Sequence, residues 1–146
     1  MPATTHLQQL QAFIGREFTA SPSPFTHWLK PVVLAAEVGQ LKARYTVRED
    51  MTNPAGTLHG GVIAAIVDDI LGATVFSLNE PDLFTTINNV IDYFSVARKG
   101  ESVVVKTQVI KKGKQFINAQ CEIWNETETR LVARGYSNLF KTTVTL

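Results

Sequence analysis

The sequence predicts an α+β fold, with a curved antiparallel six-stranded sheet wrapped around one long central helix. Two observations predict it. The segment 61–78 is apolar on nearly every face of the helix it would form, so other structure must enclose it. Six strand-like segments, two before this helix and four after it, are mostly joined by short turns, which favours antiparallel pairing. The length of 146 residues suits a single domain, 1–146.

Residues 1–30 are expected to form an N-terminal helix and loop ahead of a core over 31–146. Apolar residues at helical spacing indicate a short amphipathic helix, with Thr4 or Thr5 as its N-cap: Leu7, Leu10, Phe13 and Ile14. The next segment, TASPSPFTHWLKP, is rich in serine and proline and predicts an ordered loop. Two strands, VVLAAEV and QLKARYTVRE, are separated at Gly39 and predict a hairpin.

Three turns divide the chain after the long helix into four further strands. The turns are RKG at 98–100, KKGK at 111–114 and ETET at 126–129. The strands that they separate are LFTTINNVIDYFSVA, ESVVVKTQVIK, QFINAQCEIWN and RLVARGYSNLFKT.

Composition excludes several classes of function. A formal net charge of +1 gives no global field for nucleic acid or an anionic membrane. The N-terminus lacks a basic region followed by an apolar run, and two central aspartates argue against a membrane span over 61–78. The one cysteine, Cys121, cannot form an intramolecular disulfide, which fits a reducing compartment. We therefore expect a cytoplasmic protein with no membrane span and no nucleic-acid partner.

The long helix carries two adjacent aspartates, Asp68 and Asp69, among apolar residues. Burying a carboxylate without partners costs roughly 1–3 kcal/mol or more, so partners are expected. At 100° per residue, Asp68 falls in a mostly small-residue lane, whereas Asp69 lies between lanes. The lane comprises Gly61, Ala64, Ala65, Leu71, Gly72 and Val75, and the opposite face comprises Ile63, Ile66, Val67 and Ile70. A ligand or a neighbouring chain could therefore approach Asp68.

Gly60 and Gly61 lie at the expected start of this helix, where backbone N–H groups have no internal acceptor. Without side chains, these residues let a carbonyl oxygen reach the amides, as an oxyanion hole requires. Eight residues separate Gly60 from Asp68, or about 12 Å along the axis. Both groups cannot serve one carbonyl within one chain, which favours a composite site in a dimer with antiparallel helices.

The stretch NPAGTLHGGVIAAIVD resembles the signature of hotdog-fold acyl-CoA thioesterases of the phenylacetate-pathway (PaaI-like) group. Asn53 lies six residues before His59, His-Gly-Gly follows, and Asp68 lies nine residues after His59. The resemblance continues through TTINNVIDYFSVARKGE and KKGKQFINAQCEIWNETETRLVARGYSNL, and it covers the chain from about Val32 onward. It implies that the predicted sheet around one helix is the hotdog fold.

The resemblance implies hydrolysis of an acyl-CoA, or of an acyl carrier protein thioester, to a free acid and a thiol, without a cofactor. It gives Asp68 the role of activating water or of attacking the thioester, and the Gly60 amide that of polarising the carbonyl. Asn53 and His59 would hold the carbonyl or the leaving group, and Thr86 would orient the water. Family members form dimers with sites between subunits, usually paired into tetramers.

Four further residues are candidates for substrate binding. Gly61 is expected to bind substrate, and Lys111, Lys112 and Lys114 are either a solvated hairpin tip or contacts to coenzyme A phosphates. Asp69 is interpreted as a dimer-contact or hydrogen-bonded structural residue. The scattered histidines and lone cysteine form no metal motif. The alternative function is a hotdog protein that binds acyl-CoA without turnover; a dehydratase is disfavoured because its usual helix His and acid pair is absent.

Overall fold

The computed structural model describes residues 2–145, excluding the side chain of Thr145. Three α-helices and six strands follow one another in the order α1, α2, β1, β2, α3, β3, β4, β5, β6. The helices are α1 (His6–Gln11), α2 (Pro24–Leu29) and α3 (Gly60–Phe76). The strands are β1 (Val32–Glu37), β2 (Gln40–Thr46), β3 (Asp82–Tyr93), β4 (Ser102–Lys112), β5 (Phe116–Asn125) and β6 (Leu131–Thr145).

The six strands form one antiparallel sheet in the order β1-β2-β4-β5-β6-β3. This confirms the predicted fold class. Consecutive strands β3 and β4 are not neighbours, because β3 pairs with β6 at one edge of the sheet while β4 lies between β2 and β5. The strand that follows the central helix is therefore an edge strand.

The central helix α3 packs against five of the six strands, from β2 to β6. Its predicted sheet-facing residues are at most 4% exposed: Ile63, Ile66, Val67 and Ile70. In the small-residue lane, Gly61, Asp68 and Gly72 are exposed, whereas Leu71 and Val75 are buried. One side of α3 thus stays accessible at the position of Asp68.

The N-terminal segment differs from its prediction. Helix α1 begins after Thr5, whose hydroxyl accepts a hydrogen bond from the Gln8 amide in a capping box. The expected loop over 19–31 is wrong in part, because it contains helix α2. Ser23 caps this helix, and Pro24 lies in its first turn. Proline is tolerated there because a backbone N–H at this position has no acceptor within the helix. The same residues that mark a loop can therefore start a helix.

Among the described residues, none of the helices combines the length and the apolar character needed to cross a membrane.

We predict that Gly135 is required for the close approach of β6 to α3. A Cβ at this position would lie 2.7 Å from Val67 Cγ1, so Gly135→Ala should lower the free energy of unfolding by about 1–3 kcal/mol. Chemical denaturation measures this loss. The control is the same change in a Val67→Ala background, where the clashing methyl is gone and the cost should shrink. Equal costs in both backgrounds would contradict the packing described.

Candidate active site

Asp68 is exposed at the middle of α3, and its carboxylate is oriented by two side chains of β3. Thr86 Oγ1 donates to Asp68 Oδ1 at 2.8 Å, and Asn89 Nδ2 donates to the same oxygen at 3.0 Å. Both bonds fall on Oδ1, so Oδ2 is left for a water or a substrate. Two donors hold the carboxylate without a cationic partner among residues 2–145.

Asn89 was not predicted from the sequence, because residues 86 and 89 of a regular strand point to opposite faces. The pairing of β3 with β6 shifts register between Thr86 and Asn88, and this bulge brings Thr86 and Asn89 to the same carboxylate. Ser137 of β6, opposite Asn89, donates its hydroxyl hydrogen to Asn89 Oδ1. That bond fixes the amide so that Nδ2 faces Asp68. We call Asp68, Thr86, Asn89 and Ser137 the carboxylate cluster.

The second group of predicted site residues lies at the start of α3. His59 is the N-cap, and its Nδ1 accepts from the Gly61 amide at 2.8 Å. The ring proton therefore lies on Nε2, which donates to no acceptor in the part of the chain that the structure describes. A Cβ at Gly61 would lie 3.0 Å from His59 Nδ1, so the missing side chain makes room for this cap.

The Gly60 amide, by contrast, donates to no acceptor within residues 2–145. Tyr93, at the end of β3, donates its hydroxyl to the Gly60 carbonyl at 2.9 Å. Its ring also lies 3.4 Å from where a Gly60 Cβ would be. Tyr93 was not predicted from the sequence. It holds the helix start in place and leaves the Gly60 N–H available to a ligand oxygen.

Asn53 lies in the loop that leads to this helix start. Its Oδ1 accepts from the amides of Ala55 and Thr57, at 3.0 and 3.2 Å, and its Nδ2 donates to Thr57 Oγ1 at 2.8 Å. The loop is closed by the Thr52–Leu58 bridge. The Asn53 side chain thus shapes a turn in the single chain. We call Asn53, His59, Gly60 and Gly61 the helix-start cluster.

The carboxylate cluster and the helix-start cluster remain separate within one chain. Gly60 and Asp68 lie eight residues apart in α3, or about 12 Å along its axis. No carbonyl group can contact both.

A cleft of about 380 Å³ opens beside Asp68, between the C-terminal half of α3, the start of β3 and the segment that leads to α2. Thr85 and Thr86 line it with both aspartates. Its apolar lining includes Phe18, Val75, Phe76, Phe84 and Leu139. The sequence suggests three apolar pocket residues, Phe84, Phe94 and Val75; Phe84 and Val75 line the cleft, whereas Phe94 is 53% exposed and does not.

Asp69 faces helix α2. Thr26 Oγ1 lies 2.9 Å from both of its carboxylate oxygens, and Ser23 Oγ donates to Oδ1 at 3.4 Å. Burial raises the pKa of the Asp69 carboxyl, the hydroxyl bonds oppose that rise, and the neighbouring Asp68 charge adds to it. The interpretation of Asp69 as a hydrogen-bonded residue is therefore confirmed.

The three lysines lie at the end of β4 and in the turn that follows it, and all three are exposed. Lys112 pairs with Glu80, which lines the cleft, so this end of β4 lies at the edge of the cleft. Lys111 and Lys114 form no ion pair with any residue of 2–145.

Neither a metal site nor a reactive thiol is found in the part of the chain that the structure describes. No group of three His, Cys, Asp or Glu side chains there could hold a metal ion. Cys121 is fully buried, and burial raises the pKa of its thiol, so it does not present a thiolate nucleophile.

The chain is similar to known proteins in sequence and in fold. Acyl-coenzyme A thioesterase 13 of Homo sapiens is 30% identical over 106 residues, covering 73% of this chain and 76% of the relative. The crystal structure of zebrafish thioesterase superfamily member 2 has a TM-score of 0.77 at 27% identity, covering 93% and 95% of the two chains. The PaaI protein of E. coli shares the fold, with a TM-score of 0.81 at 19% identity, covering 98% and 99%.

The sequence model of the Thioesterase superfamily matches residues 55–132, more than half of the chain. That range holds most of the helix-start cluster and all of the carboxylate cluster except Ser137. The chain therefore belongs to the thioesterase superfamily of hotdog-fold proteins, with E. coli PaaI among its structural neighbours, and is a thioester hydrolase.

Proposed function

We propose that the protein hydrolyses acyl-CoA thioesters to a free acid and coenzyme A, with Asp68 as the group that acts on the thioester carbonyl. One observation carries the proposal: an exposed carboxylate, held on one oxygen by Thr86 and Asn89, lines a largely apolar cleft. The curated relatives named acyl-coenzyme A thioesterase support the substrate class.

In the water route, Asp68 Oδ2 accepts a proton as a water oxygen bonds to the carbonyl carbon. The tetrahedral intermediate then collapses, the C–S bond breaks, and the sulfur of coenzyme A leaves as a thiol by taking back the proton that Asp68 holds. In the nucleophile route, Oδ2 itself bonds to the carbonyl carbon and the thiolate leaves, and water then hydrolyses the anhydride. Both routes need Oδ1 held and Oδ2 open, as the carboxylate cluster provides.

The developing oxyanion needs a donor that one chain does not bring to Asp68. We propose that the Gly60 amide of a second copy supplies it, with the His59 Nε2–H and Asn53 beside it. For Asn53 this requires the side chain to exchange a turn bond for a bond to substrate. The site would then consist of one chain's carboxylate cluster and the other chain's helix-start cluster.

Edge strand β3 supports this pairing. Its outer edge meets no strand among residues 2–145, and it carries exposed apolar side chains at Ile87 and Val90. The same strand contacts Asp68 through Thr86 and Asn89, and Gly60 through Tyr93. If two copies of β3 pair antiparallel about a point near residue 90, Asp68 of one chain faces Gly60 of the other. We propose a homodimer of this kind, further paired into a tetramer.

The proposal extends to the contacts with coenzyme A and to the cellular location. Lys112 pairs with Glu80, which lines the cleft, and Lys111 and Lys114 lie within two residues of Lys112 in the chain, which supports a contact of these lysines with coenzyme A phosphates. A cytoplasmic location is proposed from the single buried cysteine, which suits a reducing compartment.

The main test is Asp68→Asn. The amide keeps the size of the carboxylate but neither accepts a proton from water nor attacks as a carboxylate, so kcat should fall at least ~10²-fold. Thiol release across an acyl-CoA panel measures it, and acyl-CoA binding should persist. The control is Asp50→Asn. Asp50 is exposed, does not line the cleft, and forms an ion pair with Arg48. A wild type that binds acyl-CoA without turnover, or an active Asp68→Asn variant, would contradict the proposal.

Charge reversal tests the lysines. Lys111→Glu and Lys114→Glu should raise KM for acyl-CoA by about tenfold and change kcat less, because phosphate contacts lie far from the reacting carbonyl. Lys112→Glu should raise KM less, because the Lys112 ammonium already forms an ion pair with Glu80. Lys99→Glu, at the opposite end of β4, is the control. An equal effect on a short thioester that lacks the nucleotide would show that these lysines act on the fold instead.

A further inference from the structure

Ser137 is a buried polar residue that the packing of the sheet does not explain. It is 4% exposed and lies on the inward side of β6, between Gly135 and Leu139 and opposite Ala119 of β5. Ser137 is the one polar side chain in this set. A buried hydroxyl is costly unless it forms a hydrogen bond, whereas an alanine at the same place would need no partner.

The partner of Ser137 is Asn89. The two residues lie opposite each other in the pairing of β3 with β6, and the Ser137 hydroxyl donates to Asn89 Oδ1. Within residues 2–145 this is the only hydrogen bond of the Ser137 side chain. Neither residue lines the cleft beside Asp68. An effect of Ser137 on the reaction must therefore pass through Asn89.

The orientation of the Asn89 amide is not fixed by Asn89 itself. The last torsion of an asparagine side chain is broad, and Asn89 is exposed, so its amide can turn over or bond to water. Nδ2 must face Asp68 Oδ1, because the opposite orientation places two acceptor oxygens against each other. The Ser137 hydroxyl holds the amide oxygen on the far side and so keeps Nδ2 directed at the carboxylate.

We infer that Ser137 is a positioning residue for thioester hydrolysis, which acts through Asn89 to orient Asp68. This inference rests on the proposed function and extends its site to a strand that does not contact Asp68. Thr86 holds Oδ1 of Asp68 with its own hydroxyl, but the second donor is only as well placed as the Asn89 amide. A small displacement of a reacting group lowers the rate, so Ser137 contributes to kcat without touching substrate.

The test is Ser137→Ala, assayed by thiol release from acyl-CoA. We expect kcat to fall about three- to tenfold, the effect of one neutral hydrogen bond, while KM changes little because Ser137 does not line the cleft. Asn89→Ala should be at least as slow. In the Asn89→Ala background, Ser137→Ala should cause no further loss, because the path through the amide is already gone. A folded Ser137→Thr variant keeps the hydroxyl and should keep most of kcat.

The control is Ser77→Ala, the same chemical change at another buried serine. Ser77 is 1% exposed, accepts from the Gly39 amide at 2.8 Å and does not line the cleft. Ser77→Ala should lower the unfolding temperature and leave kcat unchanged. Ser137→Ala should do the reverse, because alanine suits the small inward residues around it and the exposed Asn89 amide can bond to water.

Three results would overturn this inference alone. The first is wild-type kcat in Ser137→Ala or in Asn89→Ala. The second is an equal loss from Ser137→Ala in the wild-type and Asn89→Ala backgrounds. The third is a folded Ser137→Thr variant as slow as Ser137→Ala. A wild type that releases thiol from no acyl-CoA would overturn the proposed function as well.

Discussion

The rest of the structure depends on the need to cover an apolar helix. Helix α3 packs against strands β2 to β6, and its bulky face is almost fully buried. That burial stabilises the fold through the hydrophobic effect, at about 25 cal/mol per Å² of apolar surface removed from water. A single sheet cannot surround a helix completely, so one side stays accessible, and Asp68 lies on that side. The same packing that stabilises the fold therefore places the carboxylate at the cleft.

The edge strand β3 connects this packing to the chemistry. It supplies Thr86 and Asn89 to the middle of α3 and Tyr93 to its start, so one strand orients both ends of the proposed reaction. Because the two clusters lie about 12 Å apart in a chain, the proposed reaction requires two chains to assemble. On this account the monomer has the fold and each half of the site, but not a complete site.

Much of this could be predicted from the sequence. The helix faces followed from a period of 3.6, the strands from alternation and turn residues, and Thr86 rather than Thr85 is the residue that contacts Asp68. Asn89 could not be found, because a bulge moved it to the same side as Thr86 and no local pattern marks a bulge. Tyr93 and Ser137 act through contacts that are distant in sequence. Helix α2 was missed because serine and proline start helices as well as loops.

We propose that each site joins Asp68 of one chain to the Gly60 amide of another. The most direct measurement uses Gly60→Pro, which removes the N–H at the first helical position, where proline is tolerated. This variant and Asp68→Asn should each be nearly inactive, since losing an oxyanion donor costs about 10²–10³ in kcat. The two chains are co-expressed with different affinity tags, and the mixed dimer is purified. One of its two sites combines unchanged Asp68 with unchanged Gly60, so we predict about half of the wild-type activity per dimer. A mixed dimer as inactive as its parents would contradict the account.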